Sequence, residues 1–239
     1  MLSKTKGIVI KSVKYGDNSA IVNIFTHEFG LLGFYFPKIY ANKGYIKPSH
    51  IQALNVLELT FNYSSSKNLF NVKELNFLYH FNNQSFHQKA LYNIITEILN
   101  QTLKTNEQNA ALFNYLYDYQ IPLLNDKGHF WQLPQIMIYI LHYFGCAPNC
   151  ESYTENYVLD LQNGVFIQNS DSKNTYKAIA NKEISSLIFH ILNKDLELLP
   201  SIVLLRHDVI EALIAYFKYH VNENFTLKSR EILFEVLNK

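Results

Sequence analysis

The stretch TKGIVIKSVKYGDNSAIVNIFT, residues 5–26, decides the fold of the first third of the chain. Two runs that alternate apolar and polar residues flank the turn sequence GDN at 16–18, a pattern typical of two antiparallel strands joined by a tight turn. Within the first run, we expect Ile8 and Ile10 to face the same side of the strand. The pattern therefore predicts a β-hairpin over these residues.

Three more extended segments precede residue 80. LLGFYFPKIY at 31–40 contains Pro37, which cannot donate to a strand ladder and predicts that the strand ends, bulges or lies at an edge there. VLELTFNY at 56–63 and LFNVKELNFLY at 69–79 supply a fourth and a fifth strand. Five short strands in this length predict a small closed barrel, although an SH3-like barrel or part of a sandwich has a similar pattern.

The remainder of the chain changes to a helical period. Apolar residues recur at helical spacing in segments 87–103, 109–124, 131–144, 182–193, 206–220 and 227–237. Between them, YVLDLQNGVFIQ at 157–168 places Asn163-Gly164 between two β-prone runs, which predicts a hairpin. We therefore predict an α+β chain with a barrel over residues 1–80. A mainly helical domain with an inserted β-hairpin follows over residues 81–239.

Composition bounds the class of protein. Apolar residues make up 48% of the 239 residues and charged residues 17%, which is typical of a folded domain. No run approaches the roughly 20 apolar residues of a membrane helix, and the first residues have no signal-peptide pattern. Two cysteines exclude a disulfide-stapled secreted fold. We expect a protein of the cytoplasm that does not enter a membrane.

The charge is divided unequally along the chain. Residues 1–80 carry a net charge of +5 and residues 81–239 a net charge of −4. A basic first part favours an anionic partner such as nucleic acid. The alternative is that these lysines only make a small β-domain soluble.

The sequence gives little indication of a catalytic site or of a metal site. The sequence contains no glycine-rich phosphate loop, no G-x-S-x-G and no H-E-x-x-H motif. His142, Cys146 and Cys150 are spaced by four, but a structural zinc site usually needs four ligands and no second cysteine pair exists. We expect two semi-buried thiols at a helix end, no catalytic residue, no metal and no cofactor. A nuclease would require a carboxylate cluster, and none is visible.

The strongest functional pattern is lysine interleaved with tyrosine around the third strand and the loop after it. Single-strand binding needs cations for phosphates and flat rings for base stacking. Tyr35 is the strand ring that we expect to be exposed. The candidate DNA-binding residues are Lys11, Lys14, Lys38, Tyr40, Lys43, Tyr45 and Lys47.

Several motifs resemble the RecO family of DNA repair and recombination proteins, especially its Bacteroidetes-like members. In the barrel they are GIVIKSVKYGDNS at 7–19, IFTHEFGLL at 24–32, PKIY at 37–40 and KNLFNVKEL at 67–75. In the helical part they are FGCAP at 144–148 and FTLKSREIL at 225–233. The match extends over nearly the whole chain and is weakest at 81–128.

The resemblance implies an oligonucleotide-binding (OB) barrel followed by a helical domain. Members bind single- and double-stranded DNA, anneal complementary strands and work with RecR. Together these proteins load RecA onto DNA coated by single-strand-binding protein, whose acidic C-terminal tail docks on the helical domain. The resemblance thus implies a non-enzymatic, nucleoid-associated bacterial protein, which we expect to be a monomer. Many members carry a four-cysteine zinc ribbon, but here the 157–168 hairpin takes its place.

An acidic tail with an apolar end needs a cation beside an apolar groove. The cations near helical apolar stripes are Arg206, Lys218, Lys228 and Arg230. Alternatively, these four residues are solvated surface residues that bind no partner. The alternative function is a protein-interaction adaptor whose barrel does not bind DNA by itself.

Overall fold

The structure is a computed structural model that describes residues 1–41, 46–79, 85–122, 124, 132–151, 153–169, 179–193, 199–229 and 231. The chain forms two compact units, Met1–Gly128 and His129–Lys239, which are described separately. The first unit is longer than the predicted barrel domain of residues 1–80, because two helical segments belong to it.

A closed five-stranded barrel begins the first unit. Its strands are β1 (Leu2–Tyr15), β2 (Ser19–Thr26), β3 (Gly30–Phe36), β4 (Val56–Asn62) and β5 (Leu69–Tyr79). Around the barrel they follow the order β1-β2-β3-β5-β4, with β3 and β5 parallel and all other neighbours antiparallel. The predicted five-stranded barrel is thereby confirmed. A 3₁₀ helix at Pro48–Ile51 lies between β3 and β4.

Aromatic rings fill much of the barrel interior. The Phe34 ring lies 5.0 Å from that of Phe61 and 6.0 Å from that of Phe70, and all three side chains are buried. Val9 belongs to this core, whereas Ile8 and Ile10 are buried outside it. The alternation in the first run predicts that the Ile8 and Ile10 side chains both face the barrel core, and this prediction is wrong. Ile8 pairs with Phe25, which also lies outside this core, whereas Ile10 is itself the extra residue of β1 described below.

The turn between β2 and β3 depends on Thr26 and Gly30. The Thr26 hydroxyl donates to the Gly30 carbonyl over 2.8 Å and accepts from the Phe29 backbone N–H over 3.2 Å. Gly30 has a φ of +69°, and a Cβ there would clash with the Glu107 backbone. Any other residue would therefore strain the turn and displace the segment packed against it.

Helical segments complete the first unit. Helix α1 (Phe86–Thr102) begins with a capping box, in which the Ser85 hydroxyl accepts from the Gln88 backbone N–H and the Gln88 side chain accepts from that of Ser85. Helix α2 (Ala110–Asn114) continues into a π-helical segment at Tyr115–Gln120. The Phe113 ring of α2 lies 5.6 Å from the Phe25 ring. This contact covers part of the outer surface of the barrel.

The second unit is mainly helical. It contains α3 (Gln132–Tyr143), β6 (Tyr157–Asp160), β7 (Val165–Gln168), α4 (Lys182–Leu192) and α5 (Leu199–His220). Strands β6 and β7 pair antiparallel, which confirms the predicted hairpin. Most of the predicted final helix, 227–237, lies outside the described residues. Over the described part of the chain, no helix has the length and apolarity to cross a membrane.

The β6–β7 turn is packed against α5. Gly164 has a φ of +68°, and a Cβ there would lie 2.6 Å from the Tyr216 hydroxyl. That hydroxyl donates to the Cys146 carbonyl over 2.9 Å, while the His220 ring nitrogen Nε2 lies 2.9 Å from the Leu161 carbonyl. The hairpin is therefore held by both a helix and the segment that follows α3.

Candidate nucleic-acid interface

A β-bulge in β1 determines which side chains surround the β1–β2 turn. The register of the pair shifts between Val9 and Lys11, which leaves Ile10 without a partner in β2. Val9 faces the barrel core, whereas Lys11 lies opposite Asn23 on the outer face. Because one extra residue reverses the alternation, odd-numbered residues beyond the bulge face outward and even-numbered residues face the interior side.

Lys14 and Tyr40 lie together at the mouth of the barrel. Lys14 is opposite Ala20, on the interior side of the sheet, but its side chain extends into solvent. Its Nζ lies 5.7 Å from the centroid of the Tyr40 ring. The Tyr40 backbone N–H donates to the Asn18 carbonyl over 3.1 Å, which joins the segment after β3 to the β1–β2 turn. Two of the residues selected from the sequence are thus neighbours.

Lys38 is exposed two residues before Tyr40. It has a φ of 56°, a left-handed conformation that costs a residue with a Cβ about 1 kcal/mol or more. The Lys38 carbonyl accepts from the Ala41 backbone N–H over 3.0 Å, and this turn maintains the conformation. The strained turn therefore places the exposed Lys38 side chain on the same segment as Tyr40.

The other sequence candidates do not join this group. Lys11 is exposed on the opposite face of the hairpin from Lys14. Lys47 is exposed at the start of the 3₁₀ helix, where its backbone N–H donates to His50 Nδ1 over 3.1 Å. Lys43 and Tyr45 lie outside the described residues.

The outer face of the hairpin carries residues that the sequence analysis missed. Val13 and Tyr15 are 50% and 59% exposed. The Tyr15 ring meets the Tyr35 ring edge to face at 6.2 Å, and the Tyr35 hydroxyl lies 3.0 Å from Ser19 Oγ. Tyr35, which we expected to be the exposed ring, is only partly exposed. Alternation with Ile8 and Ile10 facing inward would have placed Val13 and Tyr15 outward, and the structure reaches the same result through the bulge at Ile10.

The lysines around the β1–β2 turn are not neutralised by carboxylates. Among the described residues, no carboxylate oxygen lies within 4.0 Å of the Lys11, Lys14 or Lys38 ammonium group. Only Asp17 and Glu28 are acidic within residues 1–57, and Glu28 follows β2 at the other end of the hairpin. Asp17 lies in the β1–β2 turn itself, so the three lysines at this end outnumber the one carboxylate and leave a net positive charge.

The start of β1 has a different environment. Lys4 Nζ lies 3.0 Å from the Glu58 carboxylate, which also accepts from the Asn76 side chain over 3.1 Å. These contacts, that of Asn76 first, lower the pKa of the Glu58 carboxyl. Lys6 lies over the Tyr117 ring at 4.5 Å. Each lysine at this end already has a partner within the chain.

The candidate tail-binding residues are only partly described. Lys218 on α5 and Lys228 beyond it are both exposed. The Phe217 and Phe225 rings stack at 4.7 Å, which ties the segment that carries Lys228 to α5. The side chain of Arg206, in α5, and the whole of Arg230 lie outside the described part of the structure.

The two cysteines are half-buried beyond the end of α3, as the sequence predicted. The Cys146 thiol donates to the Phe144 and His220 carbonyls over 3.5 and 3.6 Å. Burial raises the pKa of the Cys150 thiol, which favours the protonated form over the metal-binding thiolate. No group of three or more metal-ligating side chains occurs among the residues that the structure describes.

A closed five-stranded barrel with cations and rings beside its first turn is typical of OB-fold proteins that bind nucleic acid. The family model described as "Recombination protein O N terminal" matches residues 1–81, which contain the whole barrel. The chain is 25% identical to the DNA repair protein RecO of Phocaeicola vulgatus over the full length of both. It is 28% identical to that of Christiangramia forsetii over 99% of both chains. The barrel therefore matches the N-terminal model of RecO, and nearly the whole chain is similar in sequence to DNA repair proteins of that name.

Proposed function

We propose that this protein is a recombination mediator that binds single- and double-stranded DNA and anneals complementary strands. The observation that carries the proposal is the barrel mouth, where Lys14 lies over the partly exposed Tyr40 ring with no carboxylate beside it in the described structure. A cation for the phosphates and a ring for base stacking are the two requirements of single-strand binding. The full-length similarity to RecO proteins supports the same function.

This activity is binding and not catalysis. Annealing requires that two strands are held, that their mutual repulsion is screened, and that they are released as a pair. No proton or phosphoryl transfer is involved, so the proposed function needs neither a catalytic residue nor a cofactor. Lysines without carboxylate partners supply the screening.

We further propose that the protein acts as a monomer at the bacterial nucleoid, where it works with RecR to load RecA onto DNA coated by single-strand-binding protein. The acidic tail of that protein would dock on the second unit, where exposed Lys218 and Lys228 border the packed α5 region. Arg206 and Arg230 are the further candidates. A Lys218→Ala/Lys228→Ala variant should weaken binding of a labelled tail peptide and leave binding of free DNA unchanged. Unchanged tail affinity would contradict this location.

The DNA-binding proposal is tested by fluorescence anisotropy with a labelled single strand at several salt concentrations. The logarithm of the binding constant falls linearly with the logarithm of the salt concentration, and on single strands each phosphate contact adds about 0.7 to the size of this slope. The Lys14→Ala/Lys38→Ala variant should therefore lower the slope by about 1.4. Lys4→Ala/Lys6→Ala is the matched control, because it removes the same charge from the other end of the barrel and should leave the slope unchanged.

Two results would contradict the assignment. Equal slopes in the wild type and the Lys14→Ala/Lys38→Ala variant would exclude the barrel mouth as the DNA site. No binding by the wild type even at low salt would contradict DNA binding by the isolated protein and favour the adaptor function. Annealing is followed separately, from the rate at which two complementary labelled strands pair.

A further inference from the structure

The outer side of the β1–β2 hairpin and the neighbouring start of β5 expose several apolar side chains. Val13 and Tyr15 are 50% and 59% exposed, and Leu69, which pairs with Gly33 on the same face, is 45% exposed. Clustered exposed apolar side chains on a folded domain usually mark a binding surface. We call Lys11, Val13, Tyr15 and Tyr35 the outer hairpin surface.

The Tyr15 ring is held in place before any ligand arrives. It packs edge to face on the Tyr35 ring at 6.2 Å, and the Tyr35 hydroxyl lies 3.0 Å from Ser19 Oγ. A ring that is already fixed loses little conformational freedom when a flat partner stacks on it. Its exposed fraction leaves room for such a partner.

The charge on this surface indicates the chemistry of the partner. Lys11 lies on the same face as Tyr15 and has no carboxylate within 4.0 Å in the described structure. The strand segments that form the face, 11–15, 19–23, 33–35 and 69–71, contain no acidic residue, and the one nearby in sequence, Asp17, lies in the turn beyond them. A fixed aromatic ring with a cation on the same face suits the bases and phosphates of single-stranded DNA.

We infer that the outer hairpin surface binds a second single strand of DNA while the barrel mouth holds the first. The inference rests on the proposed function and gives annealing a geometry. Beyond the bulge at Ile10, regular alternation places Lys11 and Tyr15 on the outer side of the sheet and Lys14 on the other, beside Tyr40. The two strands therefore lie on opposite sides of one hairpin, each with its own lysine, so the protein screens their repulsion.

The test is a stoichiometric titration with non-complementary labelled strands of about six nucleotides, within the 4–16 that one OB fold covers. Protein concentrations well above the dissociation constant give the number of strands per chain whatever the oligomeric state. The wild type should bind two strands per chain, Tyr15→Ala one and Tyr40→Ala one. Tyr15→Phe, which keeps the ring, should bind two. Thermal unfolding of each variant checks that it is folded.

The outcomes separate this inference from the function on which it rests. One strand per wild-type chain, or two strands per Tyr15→Ala chain, would overturn the second site while leaving DNA binding at the mouth intact. In that case the outer hairpin surface would be available to a protein partner instead. No strand bound by the wild type would contradict the proposed function itself.

Discussion

The two ends of β1 each place a lysine over a tyrosine ring, but their surroundings differ. Near the start, Lys6 lies 4.5 Å from the centroid of the Tyr117 ring, which belongs to the π-helical segment of the same unit. Near the end, Lys14 lies 5.7 Å from the Tyr40 ring, which follows β3. The first pair ties a helical segment to the barrel, whereas the second extends into solvent at the barrel mouth.

The two ends of β1 differ in whether a carboxylate lies beside their lysines. At the start of β1, Glu58 forms an ion pair with Lys4 and accepts a hydrogen bond from Asn76. At the end of β1, no described carboxylate lies within ion-pair distance of Lys11 or Lys14. A lysine beside a tyrosine is therefore not a sufficient sign of a nucleic-acid site. The absence of a neighbouring anion leaves its charge available to a phosphate.

The largest effect is expected from the core that the two ends share. Phe34→Ala removes a buried ring that contacts Phe61 and Phe70, and such truncations cost about 3–5 kcal/mol. Urea unfolding should show this loss, and both ends of β1 should lose their contacts together. Tyr119→Ala, at a side chain that is 69% exposed, is the control and should change stability by less than about 0.5 kcal/mol. A loss below 1 kcal/mol for Phe34→Ala would contradict this account of the core.

The second-largest expected effect distinguishes the role of the Tyr40 ring from that of the Tyr117 ring. Tyr40→Ala should weaken single-strand binding by about 1–3 kcal/mol, or roughly 5- to 150-fold, because a stacked base loses its platform. Tyr117→Ala should leave this affinity unchanged and lower the free energy of unfolding instead. Anisotropy titrations and urea unfolding of both variants measure the two quantities. The reverse result would assign DNA binding to the start of β1.

The third expected effect distinguishes the contributions of Lys6 and Lys14 to stability in the absence of DNA. Lys6→Ala should lower the free energy of unfolding by about 0.5–1 kcal/mol, the usual range for an exposed cation–π contact. Lys14→Ala should change it by less, because its ring contact is longer and more exposed. Urea unfolding measures both values. Equal losses would indicate that the two lysines have the same structural role.

The smallest effect is the pH dependence at the start of β1. Hydrogen bonds from Asn76 and Lys4 lower the pKa of the Glu58 carboxyl in the folded protein below its ordinary value of 4.5. The unfolded chain therefore binds the proton first as the pH falls, so this contribution to stability is complete above pH 4.5 and is lost as the pH falls through the folded-state pKa. The difference in melting temperature between the wild type and Glu58→Gln should be constant from about pH 6 to 8 and decrease below about pH 4.5. A difference that increases toward low pH would contradict the sign.

Strand and helix positions followed from local patterns. The fifth strand, Leu69–Tyr79, has the same bounds as the segment predicted for it. Helix α4, Lys182–Leu192, is one residue shorter than its predicted segment, 182–193. The helix was predictable because its apolar period is long and uninterrupted. The bounds of the fifth strand were predictable although two irregularities interrupt its register with β4. The β6–β7 hairpin was predictable from Asn163-Gly164, although its turn has four residues.

The candidate site was less predictable. Sequence reasoning selected Lys14 and Tyr40 by composition, and the contact between them depends on the Tyr40 N–H bond to Asn18, which is 22 positions away in the chain. It also grouped Lys11 with Lys14, although residues three positions apart in a regular strand lie on opposite faces. Tyr15 was missed although alternation with Ile8 and Ile10 facing inward already places it outward; the structure reaches the same orientation of Tyr15 through the bulge.

The sequence by itself determined the order of strands and helices, the resemblance to RecO proteins and the excess of lysine in the first 80 residues, because periodicity, motifs and charge are properties of the chain alone. The tertiary structure decided which lysines have carboxylate partners and which rings stay exposed. One extra residue at Ile10 reverses the faces of β1, and barrel closure brings Glu58 to Lys4 and leaves Lys14 without such a partner among the described residues. These outcomes depend on strand register, which forms only when distant segments pair.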